Sequence, residues 1–145
     1  MTKSYDRCEK IIERESKYCY PGTDILINKL GILDKNLLED VERSYSTYKL
    51  SKIYLRDFSG NFDIDHYLDI HKYIFDDLYE FAGKIRDENI SKNKIPFCRS
   101  EFIGKYLDYT LKKMKQDLKK IHDEDSLLTY LAHYYGELDI IHPFR

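Results

Sequence analysis

The sequence predicts an all-α fold, mainly a helical bundle, interrupted by one small β-hairpin. Three observations carry this. Apolar residues recur every three or four positions through four separate stretches, the spacing of one helical face. Acidic residues stand just before three of these stretches, at Asp34, Asp63 and Asp123, where a carboxylate accepts the free N–H groups of a first turn. Between residues 84 and 98 the period is lost.

Taken in order, residues from Tyr5 to about Lys17 are expected to form a polar helix, which Tyr20-Pro21-Gly22-Thr23 breaks. Thr23 or Asp24 is expected to cap a short helix carrying Ile25, Leu26 and Leu30, ended by Gly31. After Asp34, the positions Leu37, Val41, Tyr45, Tyr48 and Leu55 are spaced 4, 4, 3 and 7, which puts them on one face. Ser59-Gly60-Asn61 is a turn. Asp63 caps the next helix, whose stripe is Tyr67, Ile70, Ile74 and Leu78, running up to Phe81-Ala82-Gly83.

Residues 84 to 98 suit a hairpin with its polar tip at Lys92-Asn93-Lys94, because Asn tolerates positive φ. Pro96 donates no ladder hydrogen bond, so its strand is an edge, and a lone hairpin must lean on helices to persist. Ser100-Glu101 opens a long helix with Ile103, Leu107, Leu111, Met114, Leu118 and Ile121 inside and lysines opposite. Asp123-Glu124-Asp125 places negative charge at the start of the last helix, where the macrodipole favours it. Leu128, Leu131, Tyr135 and Leu138 run along that helix to Ile140-Ile141-His142-Pro143-Phe144-Arg145.

The totals bound the function. The 145 residues suit one domain with a real core, 42% hydrophobic and 34% charged. A formal charge of -2, from 24 basic and 26 acidic residues without a basic block, gives no support for a nucleic-acid partner. No run approaches the ~20 apolar residues of a membrane span, and the polar start shows no signal peptide. A cytoplasmic location is the expectation, with export by another route left open. Cys8, Cys19 and Cys98 form no C-x-x-C and fit no metal knuckle, which suits a reduced chain.

Chemistry-bearing residues are few. His66 and His71 are five apart, about 140° around a helix, so they do not share a ligand as i, i+4 histidines do. Solvated surface histidines are the better reading. His122 and His133 read as structural or surface groups, and the lysines from Lys112 to Lys120 as a solvated face. Gly-rich phosphate loops and G-x-S-x-G are absent. His142 stands apart: the following proline pushes it out of helical geometry, between the anchors Ile141 and Phe144. A fixed imidazole at a helix exit is what a general base requires; a structural histidine is the alternative.

Ile141-His142-Pro143-Phe144 resembles the start of the Fic motif, H-P-F-x-[DE]-G-N-[GK]-R. His71 to Arg86, ending Ala82-Gly83-Lys84-Ile85-Arg86, is similar to that family's helix ending in A-G-x-x-R. Asn89-Ile90-Ser91-Lys92 with Pro96-Phe97 resembles its flap hairpin, and Tyr20-Pro21-Gly22-Thr23 through Asn28-Lys29-Leu30-Gly31 its N-terminal stretch. The blocks occur in the family's order across nearly the whole chain, 1–145, which would be one Fic-like domain.

The resemblance implies a protein adenylyltransferase that moves AMP from ATP, with Mg²⁺, onto a Tyr, Thr or Ser hydroxyl of a target protein. It makes His142 the base, Phe144 the residue seating the motif, Pro143 and Arg145 its supports, and Ile90, Ser91, Lys92, Asn93, Ile95 and Phe97 the flap that holds the target. Arg145 matches the variable position; the acid that holds Mg²⁺, the G-N-G turn and the closing arginine would come after it. The expectation is therefore a domain incomplete at its C-terminus, lacking the helices after the motif and inactive or nearly so as 145 residues. No [ST]-x-x-x-E-[GN] inhibitory string occurs, so restraint would come from a small antitoxin or from a C-terminal part. A Doc-like phosphotransferase and a non-catalytic helical module binding a partner through the flap edge or a tyrosine face are the alternatives.

Overall fold

The computed structural model describes residues 16–57 and 59–145. The expected helix from Tyr5 and the thiol of Cys8 lie outside the described residues, and Lys17 sits in a turn. Four helices follow in order, α1 Lys35–Ser51, α2 Ile64–Phe75, α3 Ile103–Leu118 and α4 Glu124–Ile141, with the strands β1 Ser91–Lys92 and β2 Ile95–Pro96 between α2 and α3. The mainly helical architecture with one hairpin is as the sequence predicts.

The short helix expected over Ile25 to Leu30 is not formed. Those residues turn back on themselves, with Cys19 bridging antiparallel to Leu26, Tyr20 N donating to Ile25 O at 2.9 Å and Ile27 N to Tyr18 O at 2.8 Å. The hydroxyl of Thr23 donates to Tyr20 O and accepts from Ile25 N, so it closes a local turn instead of capping a helix. Asn28 is buried; its side chain donates to Leu26 O and Ile32 O and accepts from Ile32 N, stitching the loop shut.

Asp34 caps α1 by accepting from Leu37 N at 2.8 Å, and Asp63 caps α2 by accepting from His66 N at 2.9 Å. The buried face of α1 keeps part of the expected stripe, with Leu38 inside in place of Leu37. Leu38 is inside with Val41 and Tyr45 packed on the core, while Leu37, Tyr48 and Leu55 are exposed. The reason is the partner: Leu38 meets Leu78, Tyr79 and Ala82, and the Tyr79 hydroxyl donates to Glu42 on the same face. α2 ends at Phe75, short of the expected Gly83, and residues 76–83 are turns that swing Leu78 and Tyr79 inward.

At the hairpin tip Asn93 (φ 51°) and Lys94 (φ 66°) are both left-handed, the tight turn whose twist matches a two-residue connection. Ser91 pairs with Pro96 and Lys92 with Ile95. A short 3-10 turn over Ser100–Phe102 leads into α3, which buries Ile103, Leu107 and Leu111; Leu118 at its end is exposed. A capping box starts α4, Asp123 accepting from Ser126 N and the Ser126 hydroxyl bonding back. This helix buries Tyr134, whose hydroxyl donates to Asp117 at 2.5 Å, and Ile141. Its Leu128, Leu131 and Tyr135 face outward. No helix among the described residues is long and apolar enough to cross a membrane.

Candidate active site

The site forms where α4 runs out. His142 is the C-cap of α4 and is left-handed (φ 44°, ψ 66°), its N–H still bonded to Leu138 O at 2.9 Å. A non-glycine residue there stores strain of about 1 kcal/mol and persists only when its surroundings hold it. The bend turns the imidazole out of the helix and onto the hairpin, where it stacks on Phe97 with ring centroids 4.2 Å apart. The side chain stays 42% exposed, at the edge of an open cavity of about 290 Å³ lined also by Tyr67, Leu138 and Phe144. Burial holds its pKa below the ordinary histidine range. Asp139, 3.9 Å away, pulls back up, while Arg86, Lys92 and Arg145 push down. A ring kept neutral and half-open can accept a proton near neutral pH.

Phe144 anchors the motif from beneath. Its ring stacks on His71 at 3.6 Å and on Tyr67 at 5.4 Å. Pro143 is buried, its carbonyl accepting from Arg86 N at 2.9 Å. Arg145 is half-buried, its Nη2 3.7 Å from the Sγ of Cys19. On the hairpin, Ile90 O accepts from Phe97 N at 3.1 Å, while Ser91, Lys92, Asn93 and Ile95 are exposed. The hairpin is tied down at its base, Cys98 N donating to Ile140 O at 3.1 Å and Ser100 N to the Asn89 side chain at 2.9 Å. The structure thus joins His142 to Phe97 by direct contact and leaves the other hairpin residues as an open rim.

Two residues matter here to which the sequence analysis gives no such role. His71 is not a solvated surface histidine: it is half-buried, and its Nδ1 accepts from Gly83 N at 2.9 Å. His66 also departs from that expectation, lying half-buried beside Phe62. The signal for His71 was its position four residues after Tyr67, which puts both rings on one helical face. Arg86 is 1% exposed. Its Nε donates to His142 O at 2.8 Å, Nη1 to Glu88 O at 2.6 Å, and Nη2 to Cys98 O at 2.5 Å and Ile141 O at 3.3 Å.

Burial lowers the His71 pKa from 6.5 to about 4. Above pH 6.5 the ring is neutral folded and unfolded. As pH falls below that value the unfolded chain takes up a proton the folded chain refuses until about pH 4, so stability is lost across this window. Allowing for the partly open ring, the loss is roughly 2 kcal/mol. The urea midpoint is expected to drop between pH 7 and pH 4.5, and to drop much less in His71→Gln; an equal drop in both would contradict the assignment.

Among the described residues no three His, Cys, Asp or Glu side chains converge to hold a metal ion. No step below passes through a metal ion.

The family model described as Fic/DOC family matches residues 61–145. The chain is 35% identical over 130 residues to the protein adenylyltransferase VbhT of Bartonella schoenbuchensis, covering 88% of this chain and 27% of that protein. It is 28% identical over 138 residues to the probable protein adenylyltransferase Fic of Escherichia coli, covering 94% and 68%. Among solved structures, the BepC protein of Bartonella tribocorum, a VirB-translocated effector with bound AMPPNP, is similar with a TM-score of 0.76 at 25% identity, covering 88% of this chain and 69% of that one. The chain therefore spans about a quarter of VbhT and about two thirds of the other two.

Proposed function

Since the chain belongs to the Fic/DOC family, we propose that it serves a protein adenylyltransferase in which His142 is the general base. A Tyr, Thr or Ser hydroxyl of a target protein attacks the α-phosphate of ATP. The new O–P bond forms as the bond to pyrophosphate breaks, and the hydroxyl proton passes to the imidazole, then to solvent. The observation that carries this is the ring of His142, neutral and half-open, fixed at the end of α4 against Phe97 of the hairpin. A neutral hydroxyl is a poor nucleophile, and a positioned base contributes roughly 10²–10⁴-fold. Nucleotide use is supported by the relatives named adenylyltransferases and by the AMPPNP in the BepC structure.

The exposed edge at Ser91, Lys92, Asn93 and Ile95, with the half-buried Ile90 at its base, would hold the target segment by main-chain hydrogen bonds, with Phe97 setting its distance from the base. Phosphoryl transfer rests mainly on charge neutralisation and positioning. Among the described residues, no three metal-ligating side chains converge beside the base and its Pro143–Phe144 anchor, so residues 1–145 by themselves should transfer little.

The experiment is labelling from ATP carried out with residues 1–145 and with the same residues followed by the segment after the corresponding motif of BepC. With α-labelled ATP the extended form is expected to label itself or an added protein, and residues 1–145 to do so weakly. Label from γ-labelled ATP alone would mean phosphate transfer and overturn the AMP reading. Equal labelling by the two polypeptides would overturn the expectation for residues 1–145.

A further inference from the structure

A buried guanidinium ordinarily faces a carboxylate. Arg86, 1% exposed, instead spends four hydrogen bonds on main-chain carbonyls. Those carbonyls are not scattered. Two belong to Ile141 and His142, and the backbone N–H of Arg86 takes the next one, Pro143 O. Three consecutive carbonyls of the motif are thus held by one residue. The other two, Glu88 O and Cys98 O, lie on the two legs of the hairpin. We propose that Arg86 is the positioning residue for the base: it fixes the left-handed exit at His142, registers the hairpin against it, and keeps the imidazole in its proton-accepting form.

This rests on the reading of His142 as the base. Three physical consequences of the geometry support it. The strained φ of His142 needs an outside restraint, and bonds to the carbonyls on both sides of that residue's own provide one. Phe97, which stacks on the imidazole, is the neighbour of Cys98, so the clamp on Cys98 O also places the ring that covers the base. The third is electrostatic. The C-terminal end of a helix carries partial negative charge that favours a protonated imidazole beside it. A guanidinium seated on the last carbonyls of α4 cancels that charge and repels a proton on His142. Burial is the largest cause that lowers the His142 pKa, and Arg86 adds to it; Asp139 on α4 opposes this, and Lys92 on the hairpin and Arg145 in the motif act with it.

Nuclear magnetic resonance of residues 1–145 tests this without any transfer reaction. Arg86→Lys keeps the charge and loses the fork. It is expected to speed exchange of the Cys98 amide at least about tenfold and to weaken the His142–Phe97 ring contact, while the Lys29 amide, bonded to Leu78 O in the α1–α2 core, exchanges as before. Arg86→Met also removes the charge, and the His142 titration is expected to move up toward the ordinary histidine range. Equal loss of protection at Cys98 and Lys29, or an unchanged His142 titration in Arg86→Met, would overturn the proposal. Should neither variant fold, the unmodified chain decides. A protected Arg86 Nε–H together with His142 titrating below the ordinary range supports the role. A rapidly exchanging Nε–H, or an ordinary titration, ends it. A chain that passes these measurements yet transfers nothing when extended would leave Arg86 in this role and sink the proposed function alone.

Discussion

His142→Asn is expected to slow AMP transfer by the extended form by roughly 10²–10⁴-fold, the worth of a positioned base. Asn is the right replacement because it tolerates the left-handed conformation found at this C-cap. An Ala variant would add about 1 kcal/mol of backbone strain and confuse loss of the base with loss of the bend. The imidazole is 42% exposed, so the urea midpoint should change little. The reading fails if His142→Asn transfers within a few-fold of the parent. It also fails if activity and stability fall in parallel, because the residue would then be structural.

Gly83→Ala is expected to cost about 3 kcal/mol of folding stability, a large share of the 5–15 kcal/mol typical of a domain. Two terms add. Gly83 has φ +73°, which an L side chain adopts at a cost of about 1–2 kcal/mol. A Cβ there would also lie 2.7 Å from Lys72 Cβ and 3.0 Å from Leu68 O, on the last turns of α2, so something must shift. The shift needed to relieve this would pull the Gly83 N–H from His71 and loosen the ring under Phe144. Gly22→Ala is the control: φ is +72° but nothing lies within 4 Å, so it reports strain without the clash. Urea unfolding of the two variants should differ by more than 1 kcal/mol, on the estimates above; equal midpoints would show the clash to be absorbed.

What could be read from the sequence is what depends on near neighbours. The caps at Asp34, Asp63 and Asp123 and the left-handed Asn93 are local, and all four form as expected. The Ile103, Leu107 and Leu111 face of α3 was legible because its opposite face is lysine-rich and left no choice. On α1, Leu37 and Leu38 both start plausible apolar faces, and only contact with Leu78 and Tyr79 selects Leu38. The motif at His142 is legible as a string. Its seat is not, because Arg86 meets it from 56 residues away and Phe97 from the hairpin. Residues 23–31 misled because a Thr hydroxyl that can cap a helix can equally close a turn.

The clamp at Arg86 also divides the molecule's assembly into near and far. α1 packs on α2, and α3 on α4, each pair joined by a short stretch of chain. The bonds from Arg86 to His142 and from Ser16 to Glu88 instead close loops of 56 and 72 residues, whose chain entropy must be overcome before any reward is collected. The corner at His142 is therefore a junction of stretches distant along the chain, and loosening Arg86 from His142 is expected to be felt there first.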